Sequence, residues 1–153
     1  AAHFIVLERL QDPGNLGTIL RAGEAAGITG VIMDSQTADI YNPKVIRSTM
    51  GAVFRVPFVY VEDLKAALLQ LKDHGVHLYA AHLKGQNPYD QEDYTESTGF
   101  LIGNEAQGLS DEIASLADTY VKIPMAGSVE SLNAAIASSV LMFEVARQRR
   151  NQK

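Results

Sequence analysis

The stretch Ile102-Gly103-Asn104-Glu105-Ala106-Gln107-Gly108-Leu109-Ser110 decides the fold. It closes an apolar run at residues 99–103 and leads into a short helical pattern from about Ser110, so a strand gives way there to a loop of small and polar residues. In an open α/β sheet that transition is where ligands bind. Two further segments share its character. Asn15-Leu16-Gly17-Thr18-Ile19-Leu20-Arg21 opens the first helix, and Ile123-Pro124-Met125 ends a strand ahead of Glu130-Ser131-Leu132-Asn133 and the last helix.

Outward from these segments, residues 4–10 read as a strand and Gln11-Asp12-Pro13-Gly14 as a turn,. Asn15 is placed as the N-cap of a helix over residues 16–26, with Gly27 as its stop,. Residues 31–33 form a short buried strand ending at Asp34. Asn42-Pro43 opens another helix, with Asn as cap and Pro at the first helical position, and residues 56–61 follow as a strand,. Leu64, Ala67, Leu68 and Leu71 recur at helical spacing within residues 62–74, and Gly75 stands just past the end,. Residues 77–83 return as a strand. After a polar loop come a strand over 99–103, the short helix from 110, a strand over 120–123 and a final helix over 131–149. This βαβα alternation predicts an α/β fold, a mostly parallel sheet with helices on both faces joined by right-handed crossovers. No repeat or linker divides the chain, and its 153 residues with 46% hydrophobic content suit one core,.

Composition narrows the chemistry. No stretch reaches the roughly 20 apolar residues that span a bilayer, and no basic-then-apolar leader opens the chain, so a soluble protein with no membrane partner is expected. The absence of cysteine excludes disulfides, thiolate metal ligands and a cysteine nucleophile, and fits the cytoplasm,. His3, His74, His77 and His82 show no metal-ligand spacing, so no metal is expected,. A net charge of −5 disfavours general affinity for nucleic acid, so RNA would need a local cationic patch,. Arg147, Arg149, Arg150 and Lys153 form an acid-free tail, which equally fits cations at a helix C-terminus,. Arg47, Arg55 and Lys84 could line an RNA path or simply be solvated.

Gly103, Gly108 and Gly127 permit close backbone approach to a ligand,. A dinucleotide fingerprint is not met, because the first turn supplies Gly14 and Gly17 without a third glycine,. Asp34 could be a ribose-binding acid but also fits a turn.

The three segments, in this order, resemble the SpoU or TrmH-type family of RNA ribose 2'-O-methyltransferases, over residues 4–150. That family has a SPOUT fold, whose C-terminus is tied into a deep trefoil knot around S-adenosylmethionine. The resemblance places the knot from about residue 101 to the end of the last helix. It implies S-adenosyl-L-methionine as methyl donor, rRNA or tRNA as substrate, and a homodimer formed through the region of Ile136, Val140 and Phe143. It assigns cofactor contacts to Gly103, Ile123 and Leu132, largely through backbone, with Met125 beside the pocket. Ile123 and Leu132 are also ordinary core types, and Gly103 could merely end a strand.

The same resemblance makes Arg21 catalytic. An arginine with a pKa above about 12 holds its proton, so gripping a phosphate and stabilising a developing alkoxide suits it better than acting as general base. Asn15 would orient Arg21 or touch RNA, or act only as a cap. Glu105 would partner Arg21 or the substrate, or be a solvated loop charge. Ser131 and Asn133, with Ser128 and Glu130, would form an RNA-facing wall at the anion-favouring start of the last helix, or cap it. Family members often carry an extra N-terminal substrate-binding domain, and the start at Ala1-Ala2 without Met implies a catalytic domain cut from a longer chain. The alternatives are a non-catalytic RNA-binding module that retains the knotted fold and a nucleotide-dependent oxidoreductase.

Overall fold

The computed structural model describes residues 1–82 and 85–152. Its strands are β1 (His3–Leu7), β2 (Gly30–Asp34), β3 (Phe58–Val61), β4 (His77–Ala81), β5 (Asn87–Pro88), β6 (Thr98–Ile102) and β7 (Thr119–Lys122). Its helices are α1 (Pro13–Ala26), α2 (Pro43–Ser48), α3 (Leu64–Asp73), α4 (Asp111–Ala114) and α5 (Ala134–Arg150), with single 3-10 turns at Ala52–Phe54 and Tyr89–Gln91. The strands form one sheet in the order β3-β2-β1-β6-β4-β7-β5, and every adjacent pair is parallel. The chain builds outward from β1 to β3, then crosses to the other side of β1, so the carboxyl ends of the central strands meet at a reversal of strand order,.

Side chains alternate across the sheet with period two. Ile5, Leu7, Met33 and Phe100 point to one face and pack with Leu16, Ile19 and Leu20 of α1 and Leu141 and Met142 of α5. Val6, Ile32, Leu78 and Leu101 point to the other, under Leu64 and Leu68 of α3 and Ile113 of α4. Both faces are therefore covered, as expected for buried parallel strands that read as continuous apolar runs.

Local chemistry sets the element ends. α1 begins earlier than its expected cap: Asp12, not Asn15, holds the N-cap, its side chain accepting from the amides of Gly14 and Asn15, and Pro13 occupies the first turn. A carboxylate one residue before Pro serves two orphan amides and so wins the position. Gly27 ends the helix in the left-handed region with φ 80. Gly17 lies inside α1, where an added Cβ would sit 1.7 Å from Ser48 Oγ, so it serves the close crossing of α1 and α2 rather than a phosphate. Asn42 caps α2 through the Lys44 amide as its Asn-Pro signal predicts. β1 stops at Leu7 because the chain turns at Arg9, whose φ is 54. β3 starts at Phe58 because Val56 still donates to Ala52. The last helix begins at Ala134 rather than 131, capped by Asn133. β5, a two-residue edge strand against β7, lies in the segment expected as polar loop. Leu83, placed in the strand over 77–83, and Lys84 lie outside the described residues.

Candidate active site

A cavity of about 610 Å³ opens at the carboxyl ends of β4, β6 and β7, which are neighbours in the sheet. That size lies within the roughly 300–1,000 Å³ of small-molecule sites. Two loops wall it, one over residues 103–109 and one over 123–132.

The first loop folds tightly on itself. Asn104 and Gly108 exchange backbone hydrogen bonds, Asn104 N to Gly108 O at 3.2 Å and the reverse at 2.8 Å. An added Cβ on Gly103 would lie 2.2 Å from Gly108 C and Leu109 N, so only glycine fits that close approach,. The Asn104 side chain is the hub: Oδ1 accepts from the amides of Ala106 and Gln107 at 2.9 and 3.0 Å, and Nδ2 donates to Arg9 O at 2.8 Å.

This loop is bound to the turn that precedes α1. Glu8, 7% exposed, accepts from Ser110 N and Ser110 Oγ, each at 2.7 Å. Arg9 Nη1 donates to Gln107 Oε1 at 3.0 Å. Glu105 accepts from the amides of Gln11 at 2.9 Å and Asp12 at 2.7 Å. No ion pair joins Glu105 to Arg21 among the described residues. Two main-chain amides freed by the turn into α1 point at its carboxylate and occupy it, so Glu105 fixes the entry to that helix.

In the second loop, Ile123, Met125 and Leu132 are half-buried on the cavity wall, with Glu130 and Ser131 exposed beside them. Asn133 accepts from the amides of Ala135 at 2.8 Å and Ile136 at 3.2 Å, and its Nδ2 donates to Asn15 Oδ1 at 3.0 Å. One asparagine thus caps α5 and ties it to the first turn of α1. Gly103, Glu105, Ile123, Met125, Ser131 and Leu132 line the same cavity, and Asn15 and Asn133 form a bonded pair next to Leu132 and Ala134. Arg21 is not on the cavity wall; it is exposed on α1, and its side chain makes no hydrogen bond or ion pair to a described residue.

Sequence reasoning missed Glu8, Arg9 and the hub role of Asn104. The available signal was a buried-looking apolar strand ending in two charged residues, Glu8 and Arg9. Two of the C-terminal cations are committed inside the chain. Arg147 bonds Glu144 at 2.6 and 3.0 Å, and Arg149 donates to the carbonyls of Ala1, Ala2, Tyr94 and Glu96. The hydrogen bonds from Arg147 hold the Glu144 carboxyl below the ordinary range. Among the described residues no three His, Asp or Glu side chains stand close enough to share a metal ion.

A parallel sheet with a roomy cavity outside the carboxyl ends of β4, β6 and β7, walled by two loops, is an α/β domain with a candidate small-molecule site at the place open α/β sheets use for ligands,. Residues 2–143 match the SpoU rRNA Methylase family, and the chain belongs to that family. It is 34% identical over 145 residues to the 23S rRNA (guanosine(2553)-2'-O)-methyltransferase RlmP of Bacillus subtilis (strain 168), a match covering 95% of this chain and 58% of that protein. The chain thus spans little more than half of that relative's length. Among solved structures, the SpoU methyltransferase AviRb of Streptomyces viridochromogenes superposes with TM-score 0.93 at 35% identity, over 98% of this chain and 60% of that one. The AdoMet-bound rRNA methyltransferase of Sinorhizobium meliloti superposes with TM-score 0.90 at 38% identity, over 96% and 56% of the two chains.

Proposed function

We propose that this chain is the catalytic domain of an S-adenosylmethionine-dependent RNA methyltransferase that acts on a ribose 2'-OH of rRNA or tRNA. The observation that carries the reading is the convergence of Gly103, Ile123, Met125 and Leu132 on one cavity. The cavity suits the methyl donor: its loops present main-chain groups and apolar side chains, and its lining includes two carboxylates, Glu105 and Glu130, against one lysine, Lys122, which favours a ligand of net positive charge,. When bound, the donor would supply an electrophilic methyl group to the ribose oxygen, its sulfonium leaving as the neutral thioether and the hydroxyl proton passing to water.

The residues of the chain hold and orient. Glu105 fixes the turn before α1, and the Asn133–Asn15 bond sets α1 against the start of α5. Arg21, whose side chain has no partner among the described residues, is available to clamp the phosphate of the target nucleotide and to stabilise negative charge on its ribose oxygen,. Ser131, exposed at the cavity rim, is available to RNA. A homodimer is part of the reading, supported by an apolar face that α5 leaves in solvent. So is a cytoplasmic location, supported by the lack of cysteine and by RNA as substrate,. A separate substrate-binding domain in the whole protein would account for RNA choice by an acidic chain.

Calorimetric titration with S-adenosylmethionine and its demethylated product, against NAD as control, tests the pocket. Saturation by the methyl-donor pair alone is expected, and binding of NAD alone would sink the reading. Transfer of labelled methyl to RNA by the whole protein then tests the chemistry. Arg21→Lys keeps charge but loses the planar fork, so turnover should fall at least tenfold with cofactor affinity unchanged, about 1.4 kcal/mol in the barrier. Near-normal turnover would exclude bidentate positioning.

A further inference from the structure

We propose that the turn over residues 50–54 is a stacking platform for an unpaired RNA base, placed beside Arg21, with Lys44 and Arg47 taking the flanking phosphates. This rests on the RNA-methyltransferase reading above.

The placement follows from helix geometry. Gly17, Arg21 and Glu24 stand at i, i+4 and i+7 on α1 and share one stripe. Both ends of the stripe touch the segment that contains α2 and the turn after it. At Gly17 an added Cβ would collide with Ser48 Oγ, and Glu24 Oε1 accepts from Arg55 Nε at 2.6 Å. Arg21 lies between these contacts, so the segment over residues 48–55 runs alongside it.

The turn is built to display side chains. Met50 has φ 53 and Gly51 φ 88. A methionine held in the left-handed region costs on the order of 1–3 kcal/mol, strain that characteristically collects at functional sites. Arg55 braces the turn from below: Nη2 donates to Met50 O at 3.3 Å while Nε holds Glu24, and a Cβ on Gly51 would come within 2.9 Å of Arg55 Nη1. The result sets Met50 68% and Phe54 80% exposed, more than any other large apolar side chain among the described residues.

The charges around the turn say what covers it. Arg21, Lys44 and Arg47 are exposed and have no ion pair with a described residue, while Glu24, the acid on the stripe, is neutralised by Arg55. Lys44 and Arg47 stand at i and i+3 on α2, on one face. Unpaired cations on α1 and on the helix that leads into this turn, together with an exposed aromatic ring, match single-stranded RNA, whose bases stack on aromatic planes while its phosphates seek Lys and Arg,. A second copy of the chain would bring like charges together, and interface cores are depleted in charged residues.

The test is binding of a single-stranded oligouridine bearing one 5-iodouridine to the unmodified protein and to Phe54→Ala, Phe54→Tyr and Lys44→Ala/Arg47→Ala variants. Sedimentation and S-adenosylmethionine titration are run on the same samples. Phe54→Ala should lose about 5- to 150-fold in affinity, the weight of one stacked base, and Phe54→Tyr should retain it. The photocrosslink should fall in the peptide carrying Met50 and Phe54. The double variant should flatten the log–log salt dependence by roughly 1.4, for two phosphates at about 0.7 each. Equal affinity for Phe54→Ala, or no binding by the unmodified protein at low salt, overturns the proposal. Loss of self-association in Phe54→Ala with RNA affinity intact overturns it in favour of a subunit contact. A failed cofactor titration of the unmodified protein would instead sink the methyltransferase reading.

Discussion

His3 stands at the start of β1, 1% exposed, with its ring edge-on to Phe100 at 5.8 Å and no hydrogen-bond partner at Nε2. Burial first, and the charge of Arg149 second, push its pKa down to about 4. An unfolded histidine titrates near 6.5. Between those values the unfolded chain binds the extra proton, so the contribution of neutral His3 is fully present above pH 6.5 and is lost as pH falls toward 4. The cumulative loss is on the order of 3 kcal/mol. In urea melts from pH 7 to 4 the parent should therefore lose more stability than His3→Phe by that amount; parallel curves would show that His3 does not titrate on unfolding,. Nothing in the sequence marked His3, because its burial comes from residues 97 and 146 positions away, Phe100 and Arg149. The opposite holds at Asn42 and Gly27, whose roles are local and were readable. Asn15 fell between: a competing local cap, Asp12, took the helix start and released Asn15 to bond Asn133.

Among the elements, α5 carries two apolar faces. Ala135, Leu141, Met142 and Val145 are buried against the sheet and α1, whereas Ile136 is 53% and Phe143 44% exposed, with Val140 half-buried between them. Positions 136, 140 and 143 stand at i, i+4 and i+7, one continuous stripe. A monomer gains nothing from such a stripe, and isologous pairing of two copies would bury it. Phe143→Glu should shift sedimentation from dimer to monomer without lowering the thermal midpoint of the monomer fold, because the ring makes no part of the core. A protein that is monomeric before substitution would end the dimer reading. Periodicity and cap signals made the elements accessible to sequence: each long helix and each buried strand is present, with ends displaced by up to three residues from where the sequence placed them. β5 escaped because two residues, one of them proline, carry no periodic signal and pair only through the neighbouring β7,.

At the scale of the molecule, the path from β7 to α5 poses a topological question. β7 lies beyond β4, two strands removed from β6, yet α5 returns to pack on α1. Residues 123–133 must therefore cross the region of the 103–110 loop, which Glu8, Asn104 and Glu105 pin onto the turn before α1. We propose that the chain passes beneath this pinned loop and is threaded there, forming the trefoil knot that the family resemblance implies. Such threading is invisible to periodicity, since it depends on which side of a loop the chain passes rather than on any residue's preference. Pulling on the two termini distinguishes the cases. An unthreaded chain extends to its full limit of roughly 3.3–3.6 Å per residue. A threaded one tightens around itself and stops short. A circular permutant with its old termini linked and new ones between Ala106 and Gln107 opens the loop, so it should reach the full length per residue while the parent does not. Equal final lengths in the two proteins would place the return path over the loop and leave the chain unknotted.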